Sequence, residues 1–392
     1  MSSPPEQDAW HAEVARAIGA GQSPSAHRIN TIVAGRAALL GDVGAGEERQ
    51  ALEQAYLGLG PLAALVSLPD VTDVVVNGDG RVFVDRGQGL QGAAAKVPRE
   101  ALRPLAVRLA GLAGRRLDDA QPWVDGQLAG GIRLHAVLPP ICAEGAHISV
   151  RVARHSPAGV PGLRALQVVG DEGAALLEGV VRSRASFVVI GGTGSGKTTL
   201  LGGLLAACPT QERLVLVEDV AELIPNHPHV VRLQGRSHNV EGRGEVTLVD
   251  LVRQSLRMRP DRLVVGEVRG PEVRDLLLAL NTGHTGGGGT IHANGAHEVV
   301  ARFEALGSLA GMPREAVHAQ LRGAFGLALV MARDGPVRRL AEVAVLDVRG
   351  SEVRFVPAAA LLPQGVRALE GWPLLPEAVR QAVPAGAVVG RC

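Results

Sequence analysis

Residues 188–208 read VVIGGTGSGKTTLLGGLLAAC: an apolar strand, a glycine-rich turn, Lys, two Thr and an apolar helix. Glycine lets the backbone turn its N–H groups inward, and a helix N-terminus adds partial positive charge. Together they form a site for phosphate. The spacing Gly191-x4-Gly196-Lys197-Thr198 fits the phosphate-loop pattern G-x-x-x-x-G-K-[ST]. Gly191, Gly192, Thr193, Gly194, Ser195, Gly196, Lys197, Thr198 and Thr199 are therefore the candidate nucleotide-binding residues. Lys197 is expected to bridge the β- and γ-phosphates of ATP, and the Thr198 hydroxyl to coordinate Mg²⁺. The chain has only two lysines, Lys96 and Lys197, and uses Arg elsewhere. A compact ammonium and a planar fork are not interchangeable, so a lysine kept in this turn points to a need for it there.

The surroundings predict an α/β domain. Strands at 186–190, 213–219, 261–268 and 288–293 alternate with helices at 170–184, 197–207, 247–258 and 270–283. Such alternation makes βαβ units and a mainly parallel sheet, with ligands beyond the carboxyl ends of the strands. Upstream, VTDVVVNGDGRVFVDRGQGL (71–90) reads as two strands joined by an Asn-Gly-Asp-Gly turn. A helix over 99–117 and strands over 130–140 and 146–155 complete a smaller α/β domain. The expected organisation is a variable extension (1–50), an N-terminal domain (51–155), a Pro/Gly-rich linker (156–168), a nucleotide domain (169–350) and a C-terminal extension without clear signal (351–392).

Phosphoryl transfer needs a magnesium ligand and a group that orients or deprotonates water. The strand at 213–217 ends in Glu218-Asp219, followed by Glu222, and the strand at 263–265 ends in Gly266-Glu267. Glu267 is the favoured base or water-positioner and a second candidate for Mg²⁺; each acid alone would be an ordinary cap or surface charge. His284 and His292 flank a glycine run. Two histidines without a third ligand make a weak metal site. Either a γ-phosphate contact or a hydrogen-bonded strand-end histidine fits them. Arg236, Arg243, Arg257, Arg259 and Arg269 crowd the same region, as charge stabilisers or as solvated surface. Arg151 and Arg154 sit at the end of the strand before the linker, and Arg151, inside the strand, is the better candidate to reach nucleotide.

Composition narrows the classes. Forty basic against 39 acidic side chains leave a formal charge of +1, so no global field selects nucleic acid or membrane. Aromatic residues are 2% of the chain, few for stacking single-stranded bases. Three scattered cysteines, with no CxxC pair, predict neither a disulfide frame nor a zinc module. The start MSSPPEQDAW lacks an apolar signal core and no apolar run spans a bilayer. A cytoplasmic protein reaching a membrane through partners is the expectation.

Four stretches occur in order: the phosphate loop, VEDVAEL, LRMRPDRLVVGEVRGPE and NTGHTGGGGTIHAN. This order resembles the type II/type IV secretion ATPase superfamily, most of all its tight-adherence (Flp) pilus and conjugal-transfer-associated branch. VTDVVVNG, GRRLDDAQPWVDGQLAGGIRLHAVLPP and HISVRVARH resemble that family's N-terminal domain, so the resemblance covers roughly 60–345. It implies a RecA-like nucleotide domain behind a smaller PAS-like domain, a homo-hexameric ring, and ATP cycles that drive an inner-membrane platform. It assigns Glu218 as the Asp-box acid, Glu267 as the Walker B acid, and His284 and His292 as the His box. The chain departs from the pattern at Gln127-Leu128 and Gly130-Gly131-Ile132-Arg133, where relatives carry Arg-Leu and Asp-Gly-Ser-Arg. Arg133 and Arg151 become the candidate N-domain contacts to nucleotide. The run Gly286–Gly289 replaces a more varied segment and is expected to loosen that loop. A nucleic-acid motor and a nucleotide-responsive scaffold with little hydrolysis are the competing readings.

Overall fold

The computed structural model describes residues 58–68, 70–87, 89–152, 156–236, 244–283, 285–335, 337–363 and 365–384. The extension 1–50, Arg154, Arg243, His284 and Cys392 lie outside the described residues. The chain divides into two compact units, 1–153 and 154–392.

The first unit is one antiparallel sheet with a helix packed on it. Its strands are β1 (Asp73–Val76), β2 (Arg81–Asp85), β3 (Leu90–Lys96), β4 (Trp123–Gln127), β5 (Arg133–Val137) and β6 (His147–Arg151), in the order β3-β2-β1-β6-β5-β4. In β1 and β2 every second residue turns inward, burying Val74, Val76, Val82 and Val84. Helix α1 (Arg99–Leu112) lays Leu102, Leu105, Ala106 and Leu109 against them, at three- and four-residue spacing. It stops short of the expected 117 because Gly114 takes φ 66° and the Arg115 N–H returns to the Ala110 carbonyl, closing the last turn. The β1–β2 turn needs Gly80, at φ 87°: a methyl there would lie 2.1 Å from the Val97 carbonyl oxygen.

The second unit is a nine-stranded mixed sheet with helices on its faces. The strands are β7 (Phe187–Ile190), β8 (Leu214–Glu218), β9 (Val230–Gln234), β10 (Arg262–Val265), β11 (Gly288–Ile291), β12 (Leu327–Asp334), β13 (Val337–Arg349), β14 (Glu352–Leu362) and β15 (Gly365–Ala368). Their order is β15-β14-β13-β12-β7-β11-β10-β8-β9. From β12 to β9 all neighbours are parallel, whereas β13, β14 and β15 add antiparallel strands. Every residue of β7, β8, β10 and β11 is buried, as both faces are covered. The register sets Ile190 beside Ile291 and Val265 beside both Gly289 and Val217, so the carboxyl ends of these strands meet on one edge.

The helices are α2 (Gly159–Ala165), α3 (Asp171–Ser183), α4 (Lys197–Ala206), α5 (Leu248–Ser255), α6 (Glu272–Asn281), α7 (Val299–Leu309), α8 (Arg314–Ala324) and α9 (Glu377–Ala382). The stretch expected as a linker folds into α2, whose buried Leu163 fills the space left by Gly203 on α4; a methyl on Gly203 would sit 2.6 Å from it. Residues beyond 350, expected as an extension without signal, supply β14, β15 and α9, and Val356, Ala358, Ala359, Val366 and Val379 join the core. Their Ala/Pro/Val composition hid a sheet edge that joins the rest of the sheet through β13.

The glycine run is not loose. Gly288 and Gly289 belong to β11 and the whole run is buried. Methyls on Gly287, Gly288 and Gly289 would lie 2.3, 2.2 and 2.6 Å from the carbonyl oxygens of Leu263, Phe187 and Val265. Glycine here allows close approach of three backbones rather than flexibility. At the far end of the sheet, buried Arg262 donates to Glu212 and to the Gly286 and Val181 carbonyls, pinning the segment that enters β11.

Candidate nucleotide site

The phosphate loop leaves β7 and enters α4. Gly191, Gly194 and Gly196 take φ 147°, 70° and 95°, which a side chain strongly disfavours. A methyl on Gly191 would meet the Ser195 Oγ at 2.6 Å and the Met331 carbonyl oxygen at 2.7 Å. Gly192, Thr193 and Gly194 are exposed at the tip, and Thr198 and Thr199 are half-buried in the first turn of α4. Buried Ser195 Oγ has no hydrogen-bond partner among the described residues. A loop with an orphaned polar atom, three left-handed glycines and a helix start behind it fits a phosphate chain.

Lys197 is buried and donates to the carbonyls of Gly191 at 2.8 Å and Gly192 at 3.0 Å. Burial pulls its ammonium below the ordinary lysine value, and the Glu267 carboxylate opposes that shift. Its Nζ also stands 3.5 Å from His292 Nδ1, while His292 Nε2 lies 3.0 Å from Glu267 Oε1. An ammonium has only donors, so Nδ1 accepts and Nε2 carries the proton toward the carboxylate. The chain Lys197–His292–Glu267 thus crosses the ends of β7, β11 and β10.

Glu267 is half-buried, and Arg269 Nη1 lies 4.0 Å from it. Arg269 also pairs with Asp219 at the end of β8. Thr290 donates to the Gly266 carbonyl at 2.7 Å, holding the turn that presents Glu267. Reading the sequence missed Thr290, which stood inside the glycine-rich stretch without a distinguishing signal, and the Asp219 pairing, which needs the β8–β10 adjacency.

Glu218 reaches the same sheet edge but turns into its own loop. Its Oε1 accepts the N–H groups of Glu222 at 3.0 Å and Leu223 at 3.1 Å, and buried Oε2 has no hydrogen-bond partner among the described residues. Burial pushes its carboxyl up to about 7, against the two N–H groups that favour the ionised form. Gly266 makes room for it: a methyl there would sit 2.7 Å from Glu218 Cγ.

The remaining candidates make contacts of their own. Arg133 and Arg151 are cross-strand neighbours in the first unit, and Arg151 donates to Asp73 at 2.9 Å. Arg236 donates to the Gly244 carbonyl at 2.6 Å, and Arg257 and Arg259 are exposed. His284, Arg154 and Arg243 fall outside the described residues.

Residues 56–337 match the family model described as type II/IV secretion system protein. A putative conjugal transfer protein of Mycobacterium tuberculosis is 52% identical over 326 residues, covering 81% of this chain and 93% of that protein. The conjugal transfer protein TrbB of Rhizobium radiobacter is 35% identical over 286 residues, covering 71% and 85%. The crystal structure of the pilus retraction motor PilT with bound ADP superposes with a TM-score of 0.51 at 19% identity, covering 81% of this chain and 84% of that one. The last likeness is one of fold, and makes the parallel core of the second unit RecA-like. With the phosphate loop and the carboxylate opposite it in place, the chain belongs to the type II/IV secretion system protein family.

Proposed function

We propose that this chain is an ATP-hydrolysing motor that powers pilus assembly or type II/IV-type secretion. The observation that carries it is the Lys197–His292–Glu267 chain laid across the mouth of the phosphate loop. The loop's N–H groups cradle the phosphates, and Lys197 exchanges its loop carbonyls for phosphate oxygens. Glu267 orients the attacking water and accepts its proton, as phosphoryl transfer requires. His292, hydrogen-bonded to Glu267, stands where it reports on the terminal phosphate. Glu218 acts behind Glu267, its bulk under Gly266 setting where that turn lies. Thr198 and Glu267 are the oxygen ligands that would hold Mg²⁺, which neutralises phosphate charge. His284 is a further nucleotide contact in this reading.

A homo-hexameric ring, the inner-membrane platform it drives and the tight-adherence pilus branch belong to the same proposal, supported by membership of the family. No helix among the described residues is long and apolar enough to cross a membrane, in keeping with a motor that meets the cytoplasmic face of the membrane through partners. The test is phosphate release from ATP and Mg²⁺ by the purified chain, compared with Lys197→Ala and Glu267→Gln. Turnover confined to the unaltered chain supports the reading; equal rates in all three overturn it.

A further inference from the structure

The phosphate loop has two flanks. On one side β7 pairs with β11, which carries His292 toward Glu267. On the other it pairs with β12, through Leu327–Val330 beside Phe187–Ile190. β12 does not stop where β7 does. It runs on alongside the loop to Asp334 and turns back as β13.

This overrun brings arginines to the loop. Arg333 Nη1 lies 3.0 Å from where a methyl on Gly194 would stand. The Arg338 stem, with Met331, packs against Gly196: methyl positions there lie 3.6 Å from Arg338 Cβ and Cδ and 3.3 Å from Met331 Cε. Arg333 and Arg338 are direct cross-strand partners. Like charges opposite one another destabilise a strand pair. The other guanidinium near the hairpin turn, Arg339, is neutralised by Asp334 at 3.1 Å. No carboxylate of the described residues pairs with Arg333 or Arg338. Arg333 spends its Nε on the Gly335 carbonyl at 2.9 Å, and the buried Nε of Arg338 has no hydrogen-bond partner among the described residues. Two cations without a protein carboxylate partner at the outer wall of a phosphate loop are placed to receive an anion.

Which part of the anion follows from the two flanks. The phosphate that is attacked must face Glu267 and His292, on the β11 side. The β12 side then faces the phosphates nearer the nucleoside. We propose that Arg333 and Arg338 form an anion clamp on the inner phosphates of the bound nucleotide, common to di- and triphosphate, and so set affinity rather than the chemical step. This rests on the nucleotide reading above. Guanidinium forks suit such oxygens, with charge-assisted hydrogen bonds about twice as strong as neutral ones.

The test measures binding of fluorescent ADP and ATP analogues and steady-state ATP turnover. The full chain is compared with Arg333→Ala, Arg338→Ala and the double variant, with thermal melts as a check of folding. Arg333 is exposed, so its replacement disturbs the core least. The expected result is a rise of about tenfold in Kd for ADP and ATP alike in each single variant, larger in the double, with KM rising more than kcat falls. Arg333→Lys is expected to recover part of the loss. Kd values within twofold of the unaltered chain in folded Arg333→Ala overturn the inference alone. A loss confined to kcat, or to ATP and not ADP, also overturns it. Absence of nucleotide binding by the unaltered chain overturns the nucleotide reading and the clamp with it.

Discussion

His292 hydrogen-bonds Glu267 at 3.0 Å from the neighbouring strand, with its other ring nitrogen facing the Lys197 ammonium. The imidazole therefore joins the acid that would orient water to the cation that would hold phosphate. Residues linked in this way act as a unit, and their substitutions should not add.

Replacing Glu267 by Gln is expected to lower kcat for ATP by about 10² to 10⁴, the usual contribution of a positioned acid or base, while ATP still binds. His292→Ala should lose less, and the double variant should fall no further than Glu267→Gln alone. Phosphate release and nucleotide-binding titrations on the three proteins check this. A double variant far below Glu267→Gln would mean that the two side chains act separately.

Lys197 occupies a slot sized for an ammonium, tied to two loop carbonyls and almost wholly buried. Lys197→Arg keeps the charge but brings a planar fork that the slot cannot take. Turnover should fall by about 10²-fold despite the conserved charge. Steady-state kinetics would show it, and an arginine variant within threefold of the unaltered chain would refute the geometric argument.

Glu218 gives the fold a pH dependence. Its folded value, raised by burial to about 7, stands above the unfolded value of 4.5, so the folded chain binds the extra proton between those values. Stability is fully present below about 4.5 and is lost as pH rises through about 7, by about 3 kcal/mol in total. Glu218→Gln removes the titration. Urea midpoints measured from pH 5 to pH 8 should fall with pH more steeply in the unaltered chain than in the variant. Parallel profiles would show that the carboxyl is not held in this way.

Gly288→Ala puts a methyl 2.2 Å from the Phe187 carbonyl oxygen, between two strands of the site. The core cannot yield there without parting β7 from β11, so a loss of about 2–3 kcal/mol is expected. Gly111→Ala, on α1 with open space around it, should instead stabilise by up to about 1 kcal/mol. Denaturant unfolding of both variants tests the contrast.

The phosphate loop, the strand–helix alternation and the acid after LVVG were legible in the chain because each is a short-range pattern. Glycine at fixed spacing, lysine in an otherwise arginine-using sequence, and apolar runs that end in acid all express chemistry within a few residues. The glycine run shows where that ends. Its composition spoke of freedom, and only the approach of β7 and β10 on either side of β11 turned it into tight packing. Likewise Asp219 meets Arg269 across 50 residues, and Arg333 meets Gly194 because β12 outruns β7. Such contacts depend on strand order and register, which arise when distant segments compete to bury their apolar faces. No local pattern encodes that competition, so the second flank of the phosphate loop came into view only in the folded chain.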